Sequence, residues 1–505
     1  MSRLDARTAL PATVRGPAPR PRKAGIVHLG IGAFHRAHQA VLTEDAAAAT
    51  GDDRWGILGV TQRSDRVVRQ LRPQDGLYGV LTLGERERSL RVVGSVLDAV
   101  HPGPGGDVDR VLGALAAPTT HVVTLTITEK GYARRPDGTL DVDAVRGDLD
   151  AAARALGARP GGDRAEPPAG TAVGLLVRGL VARHRAGGEP LTVLSCDNVA
   201  ANGRVLEGLV REAVDALAGL GPAPDARAAA GLAGWLDDAV TFPSSVVDRI
   251  VPATTDAHRA IARELLGADD EALVVGEPYA QWVVEDRFAG PRPTWEAAGA
   301  QLVDDVTPYE NAKLLLLNAT HSLLAYAGVL AGHETMADAV RDPRLAVHAR
   351  ALQAEARAAL ADGGSALDLA AYSASVLERF ANPATGHLTR QVAMDGTQKI
   401  PLRWGPTLAG LGRGGAAALP DDGVCFGLAA WAAFVERAVR TGEPLDDPRT
   451  AELRAIVEGA SGPDAAQAAL LALPGLLPPT LATDPRLLPA VRGASAVVDG
   501  PAQRR

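Results

Sequence analysis

Cysteine, lysine and asparagine are all scarce in this chain of 505 residues. Two cysteines, Cys196 and Cys425, are too few for a disulfide framework or a cysteine-rich metal site, and they predict reduced thiols in a cytoplasmic protein. Positive charge is not in excess: the formal net charge is −8, which argues against a nucleic acid or an anionic membrane as partner. A local basic pocket for a small anion remains compatible with that balance. No run of about 18 apolar residues free of charge occurs, so no membrane span is expected. His28, His101, His184, His258, His333, His348 and His387 show no metal-ligand spacing, and no metal is expected.

The shortage of lysine is informative. Of 52 lysines and arginines, only Lys23, Lys130, Lys313 and Lys399 are lysines. Arginine stays protonated, whereas a desolvated lysine loses its proton and can serve as a general acid or base. The plain alternative is that these four survive by chance and that Lys313 snorkels to the surface. Asparagine is limited to Asn198, Asn202, Asn311, Asn318 and Asn382.

Residues 307–324 read as a Leu-rich, buried helix. Thr307 stands at N-cap, Pro308 at the first helical position and Glu310 three residues after the cap, a capping-box spacing. At about 100° per residue, Glu310, Lys313, Asn318 and His321 fall on roughly 140° of one face. Polar groups buried on one face without partners are costly, so that face needs a chemical or structural reason.

Several β-rich runs precede this helix. Gly25–Gly30 ends in a turn, and Gly30 and Gly32 supply the first two glycines of a G-x-G-x-x-G dinucleotide turn. His35 replaces the third, so the motif alone is weak and an ordinary strand-turn-helix is the alternative. Trp55–Val60 is a second strand candidate, running into Thr61, Gln62, Arg63 and, further on, Asp65. An acidic residue there would bind an NAD ribose and Arg63 a 2′-phosphate, so NAD against NADP stays open. His121–Thr128 leads into Glu129 and Lys130, and Leu191–Cys196 into Asp197 and Asn198. Open α/β sheets keep their ligands at such carboxyl ends. The structural alternatives are a helix N-cap for Asp197-Asn198, a turn for Asn202-Gly203 and a plain ion pair for Asp248-Arg249.

After about residue 296 strand signals nearly vanish and alanine- and leucine-rich helices dominate. The expected architecture is α/β: an N-terminal Rossmann-type doubly wound sheet over 24–295, followed by a mainly α-helical domain over 296–495. Residues 1–23 read as a loose arm, 155–170 as a flexible surface loop, and the chain from about Val491 as a frayed tail.

Taken together, GIGAFHRAHQ (30–39), TITEKGY (126–132), SCDNVAANG (195–203), FPSSVVDRIVP (242–252), GEPYAQWVVED (276–286) and KLLLLNATH (313–321) resemble the mannitol dehydrogenase family, the polyol-specific long-chain dehydrogenases/reductases. The resemblance implies an NAD(P)-dependent, zinc-independent oxidoreductase acting on a small-molecule sugar acid or polyol. It implies Lys313 as general acid/base, Asn198 and Asn318 as donors to the developing alkoxide, and His321 as the group positioning the substrate hydroxyl. It places Gly30, Gly32, Ala33, Phe34, His35, Arg36 and Arg63 in cofactor binding, Asp248 in substrate binding, and Glu129 and Glu310 on the proton path. Lys130, Gln391, Lys399 and Arg403 are similar to the family's fructuronate-reducing members, whereas its mannitol enzymes carry glycine and arginine at the positions of Lys130 and Gln391. Lys130, Lys399 and Arg403 then supply a clamp for a substrate carboxylate. The alternatives are pairing of Lys130 and Arg403 with neighbours such as Glu129 and Asp395, a mannitol or other polyol substrate, and a non-catalytic dinucleotide-binding protein.

Overall fold

The computed structural model describes residues 2–84, 87–157, 166–220, 226–361, 367–413 and 417–498. Two compact units divide the chain at Val306–Thr307.

The first unit is built on six parallel strands. These are β1 (Ala24–Leu29), β2 (Gly56–Val60), β3 (Val96–Val100), β4 (Val122–Leu125), β5 (Leu191–Ser195) and β6 (Val240–Thr241). They lie in the order β3-β2-β1-β4-β5-β6. Strand order reverses between β1 and β4, the switch point of a doubly wound dinucleotide-binding sheet. The strands read as near-continuous apolar runs because both faces are covered. Helices Val108–Ala116, Val142–Gly157, Ala172–Arg185 and Asn202–Leu217 pack on one face. The other carries helices Ala33–Ala37 and Gln39–Thr50 with the buried rings of Trp55, Trp282 and Trp295. The sequence reading passes over β3 and over the hairpin Tyr78–Leu83 with Arg88–Val93, which joins Val274–Gly276 in a separate three-stranded sheet. A third sheet joins Ser245–Asp248, Gln281–Glu285 and Gln301–Val303.

Two chain-end expectations are corrected. The N-terminal arm is docked: Leu4 is fully buried, its N–H donates to Asp269 O at 2.8 Å, and Arg15 O accepts from Val92 N at 2.9 Å. At the other end, Leu487–Val498 is a helix with Val491 and Ala494 buried, so this part of the expected tail is packed, and 499–505 lie outside the described residues. Apolar side chains at both ends find a core to cover, which outweighs the entropy of a free end. Within 155–170, residues up to Gly157 close a helix, Glu166 pairs with Arg178 at 3.0 Å, and 158–165 lie outside the described residues.

The second unit is helical. Its central element runs over Thr307–Ala331, α-helical at Thr307–Ala312, π-helical at Lys313–Asn318 and α-helical again at Ala319–Ala331. It is long and apolar enough to cross a membrane, yet 72% of its most apolar window is buried inside the protein. Leu315, Leu316, Leu323, Leu324 and Tyr326 share a core with Trp404, Trp431 and Phe434. Each such leucine contributes about 1.5–3 kcal/mol over its exposed state.

Candidate active site

The turn after β1 is shaped by Gly30. Its φ is +99°, and a Cβ there would lie 2.1 Å from the carbonyl oxygen of Thr126, which follows β4. Only glycine lets the two strand ends approach so closely. Gly30 N donates to Val60 O at 2.8 Å and Gly32 N to Gly30 O at 2.6 Å, which folds the turn back on itself. Gly32 is exposed, Ala33 and Phe34 half-buried, and a Cβ on Gly32 would meet nothing nearer than 3.8 Å. This open main-chain cradle at the switch point fits a pyrophosphate.

His35, in place of the third glycine, lies flat against His28, ring centroids 3.3 Å apart and planes 13° from parallel. Burial pulls His28 down to about 3, so its imidazole is neutral. It donates from Nε2 to Gly30 O (3.1 Å) and accepts at Nδ1 from the Thr124 hydroxyl (2.7 Å). The flat ring pair does the helix-to-strand packing that a small residue does elsewhere. Any cofactor contact from His35 and Arg36 is thereby limited to their main chain. Both side chains are buried: Arg36 donates to Gly32 O (3.2 Å) and to Ala272 O, and lies over the Tyr78 ring. Only their main chain is left to face a dinucleotide. Arg63 is exposed just past β2, and Asp65 is taken by Arg69 at 2.5 Å.

Past β4 and β5, Asp197 organises the strand ends. Its buried carboxylate accepts from Ile127 N (3.0 Å), Thr128 N (2.8 Å) and Tyr132 Oη (2.9 Å). Burial raises its pKa, against the pull of those three donors. Thr128 is held at φ 64°, ψ 161°, and the next residues form a tight turn, Glu129–Tyr132, with Glu129 and Lys130 exposed. Asn198 is exposed directly after Asp197. The N-cap reading of Asp197 is thereby replaced by a loop-binding one. Asn202 begins helix Asn202–Leu217, and its amide bridges Asp197 O (2.9 Å) and Ser245 O (2.8 Å). Asp248 is buried at the end of its strand, and Arg249 donates to the Glu277 and Ala37 carbonyls.

In the second unit the π segment alters the expected polar face. A π turn takes about one extra residue, so side chains beyond it are rotated by about 100°. Lys313 is buried, whereas Glu310, Leu314, Asn318 and His321 are half-buried. The segment also leaves main-chain oxygens to be satisfied from outside. Arg403 Nη1 donates to Asn318 O (3.0 Å) and Trp404 Nε1 to Ala319 O (3.2 Å). Arg403 Nη1 also reaches Ser322 Oγ at 2.8 Å. His321 stacks on Phe380 (4.6 Å) and meets His387 edge-on (4.8 Å). Burial, then the nearby His387, Arg403 and Lys399, hold His321 well below its ordinary pKa. Its Nε2 is buried without a hydrogen-bond partner among the described residues. Lys399 Nζ donates to Met394 O (2.6 Å) and Val392 O (3.3 Å), with Asp395 at 3.8 Å; burial lowers its pKa. Asp395 is thus nearest Lys399 and also acts on Arg403 through its charge. Gln391 is exposed on the short helix Thr389–Val392. No group of three or more His, Cys, Asp or Glu is placed to hold a metal among the described residues.

The Mannitol dehydrogenase Rossmann domain matches residues 24–297, and the Mannitol dehydrogenase C-terminal domain matches 305–487. The chain belongs to the mannitol dehydrogenase family. Relatives include the D-mannonate oxidoreductase of Escherichia coli K12, 39% identical over 93% of this chain and 92% of that one. The mannitol 2-dehydrogenase of Aspergillus terreus is 33% identical, covering 97% and 93%. Among solved structures, Pseudomonas fluorescens mannitol 2-dehydrogenase in ternary complex with NAD and D-mannitol has a TM-score of 0.77 at 31% identity, covering 98% of this chain and 96% of that one. This member of the mannitol dehydrogenase family is therefore an oxidoreductase acting on CH–OH groups.

Sequence reasoning missed His387, noted only for lacking metal-ligand spacing, and Phe380; both reach His321 only through tertiary packing, and no spacing signal announces them. It also missed the clamp at Asp197, whose donors lie about 70 residues earlier in the chain.

Proposed function

We propose that the protein is an NAD-dependent reductase of a 2-keto sugar acid, interconverting D-fructuronate and D-mannonate. The observation that carries this reading is the cationic corner of the second unit. Its cations are Arg403 and Lys399, near His321 and the carbonyl of Asn318 on the same helix as Lys313; His387, held below its ordinary pKa by burial, packs against His321. Arg403 spends Nη1 on that carbonyl and on Ser322, and its other nitrogens have no acceptor among the described residues. A carboxylate is the ligand that such a guanidinium edge recognises best. The relative named D-mannonate oxidoreductase supports the same choice.

NAD, when bound at the Gly30–Phe34 cradle, supplies the hydride acceptor or donor. Gly30, Gly32, Ala33 and Phe34 hold it through main chain, and Arg63 lies past the strand where the adenosine ribose is read. Lys313 takes the carbinol proton in oxidation and returns it in reduction, with Glu129 and Glu310 serving its exchange with water. Asn198 and Asn318 donate to the oxygen as charge develops on it. His321, neutral and with Nε2 unpaired among the described residues, hydrogen-bonds a substrate hydroxyl, and Asp248 another. Lys130 and Gln391, both exposed, complete the substrate set.

A polyol substrate is the second reading. Lys399 already has two carbonyl acceptors, which favours a structural role for that lysine. Oxidation of NADH, with NADPH as control, is measured with fructuronate and separately with fructose. Turnover of fructuronate alone is expected. Turnover of fructose alone removes the sugar-acid reading and leaves the lysine chemistry standing.

A further inference from the structure

The loop after β4 presents an energetic puzzle. Thr128, a β-branched residue, sits at φ 64°, ψ 161°, a region that is essentially glycine territory. Such a conformation persists only when its surroundings over-determine it. Here Gly131 N donates to Thr128 O at 2.9 Å inside the loop, and one carboxylate ties the loop to the sheet. Asp197 accepts from Ile127 N at 3.0 and 3.1 Å, from Thr128 N at 2.8 Å and from Tyr132 Oη at 2.9 Å, spanning the loop from before the strained residue to beyond the turn. Tyr132 Oη in turn meets Ser195 Oγ at 2.6 Å, which ties the far end of the loop to the last residue of β5. The residues enclosed, Glu129 and Lys130, are exposed, and Asn198 follows Asp197 directly and is also exposed.

We propose that Asp197 is a positioning residue: its carboxylate locks the strained 127–132 loop to the end of β5, so that Glu129, Lys130 and Asn198 are presented to the substrate as one rigid set. A carboxylate suits the task because it is acceptor-only and can take three donors at two oxygens. Asparagine is isosteric but turns one of those acceptors into a donor, facing either a main-chain N–H or the tyrosine hydroxyl. The groups facing Asp197 are Tyr132, Cys196 and Glu129, with no basic side chain among the causes of its raised pKa. Three hydrogen bonds hold the charge, and proton uptake weakens the lock. The inference rests on the dehydrogenase reading but not on the choice between sugar acid and polyol.

The test compares wild type, Asp197→Asn and Tyr132→Phe, with whichever substrate the wild type turns over. Displacement of reacting groups by about 1 Å costs on the order of 100-fold, so kcat/KM of Asp197→Asn is expected to fall by about that factor. Its NADH affinity, read by fluorescence titration, should change less than about threefold, because the Gly30 cradle is not held by this carboxylate. The acid limb of the wild-type kcat/KM profile should flatten in the variant. Amide exchange at Ile127 and Thr128 should accelerate, a readout that needs no turnover at all. Tyr132→Phe removes one donor and keeps the charge; a fall of about tenfold is expected, and it carries the test should Asp197→Asn not fold. Unchanged exchange at both amides, or kcat/KM within fivefold of wild type in Asp197→Asn, overturns the proposal. So does loss of NADH affinity in step with activity, which marks a general collapse of the unit. Absence of wild-type turnover on both sugars defeats the substrate reading alone, because the exchange measurement still decides the role of Asp197.

Discussion

Arg403 Nη1 donates to the main-chain oxygen of Asn318 at 3.0 Å. That oxygen closes the π segment Lys313–Asn318, so the guanidinium props the stretch of helix that carries two of the catalytic candidates. Support of Asn318 and recognition of a carboxylate are separable roles. Arg403→Lys keeps the charge and loses the fork geometry. If Arg403 only supports Asn318, the variant impairs turnover of a sugar acid and of a ketose equally. We expect instead that KM for fructuronate rises about 10- to 100-fold more than KM for fructose, the worth of a charge-assisted hydrogen bond. Steady-state kinetics with both substrates decide it.

Lys313 is one of four lysines in the chain, and it is buried in the π segment. Lys313→Ala should lower kcat about 10²- to 10⁴-fold, the usual contribution of a positioned general acid/base. Lys313→Arg should be nearly as damaging, since arginine retains charge but does not release its proton. A kcat within tenfold of wild type in either variant removes Lys313 from proton transfer.

Gly30→Ala meets two obstacles, a φ of +99° and a carbonyl oxygen 2.1 Å from the new Cβ. Together these should destabilise the first unit by about 2–4 kcal/mol. Thermal unfolding reads the stability, and fluorescence titration should show NADH affinity reduced in the protein that remains folded. A variant with wild-type melting and binding contradicts the cradle described here.

Glu355 makes stability depend on pH. It is 8% exposed, accepts from Val424 N at 2.7 Å, and leaves Oε1 without a partner among the described residues. Burial pushes its carboxyl up to about 7, with Asp422 adding to the shift and the Val424 bond opposing it. The folded state therefore keeps its proton up to about pH 7, while the unfolded chain releases it near the ordinary glutamate value of 4.5. Between those values the folded protein binds more protons, so this group's contribution to stability falls as pH rises and levels off above 7. Glu355→Gln should gain on the order of 3 kcal/mol over wild type at pH 8, and the gain should vanish below about pH 4.5. Paired melting curves across that range test it; a constant difference contradicts the buried-carboxyl account.

The succession of apolar runs ending in Gly30, Glu129 and Asp197 was enough to anticipate a doubly wound sheet, because a strand covered on both faces has to be apolar along its length. Local patterning served less well for Tyr78–Leu83 and Val96–Val100, where short alternating runs resemble many loops. The start of the central helix was legible to within one residue: Thr307, expected at N-cap, is its first helical residue and Pro308 its second.

Residue chemistry and short-range periodicity were what the sequence by itself determined: a lone titratable lysine in a leucine-rich helix, two glycines at a strand end, polar residues waiting at the ends of others. Tertiary structure alone decided how those groups are held. It inserted the π segment that buries Lys313, turned His35 and Arg36 inward, brought Phe380 and His387 onto His321, and set Asp197 against amides far away in sequence. Each of these depends on satisfying a buried polar group or filling a space between elements, and such demands arise only once distant segments are packed together.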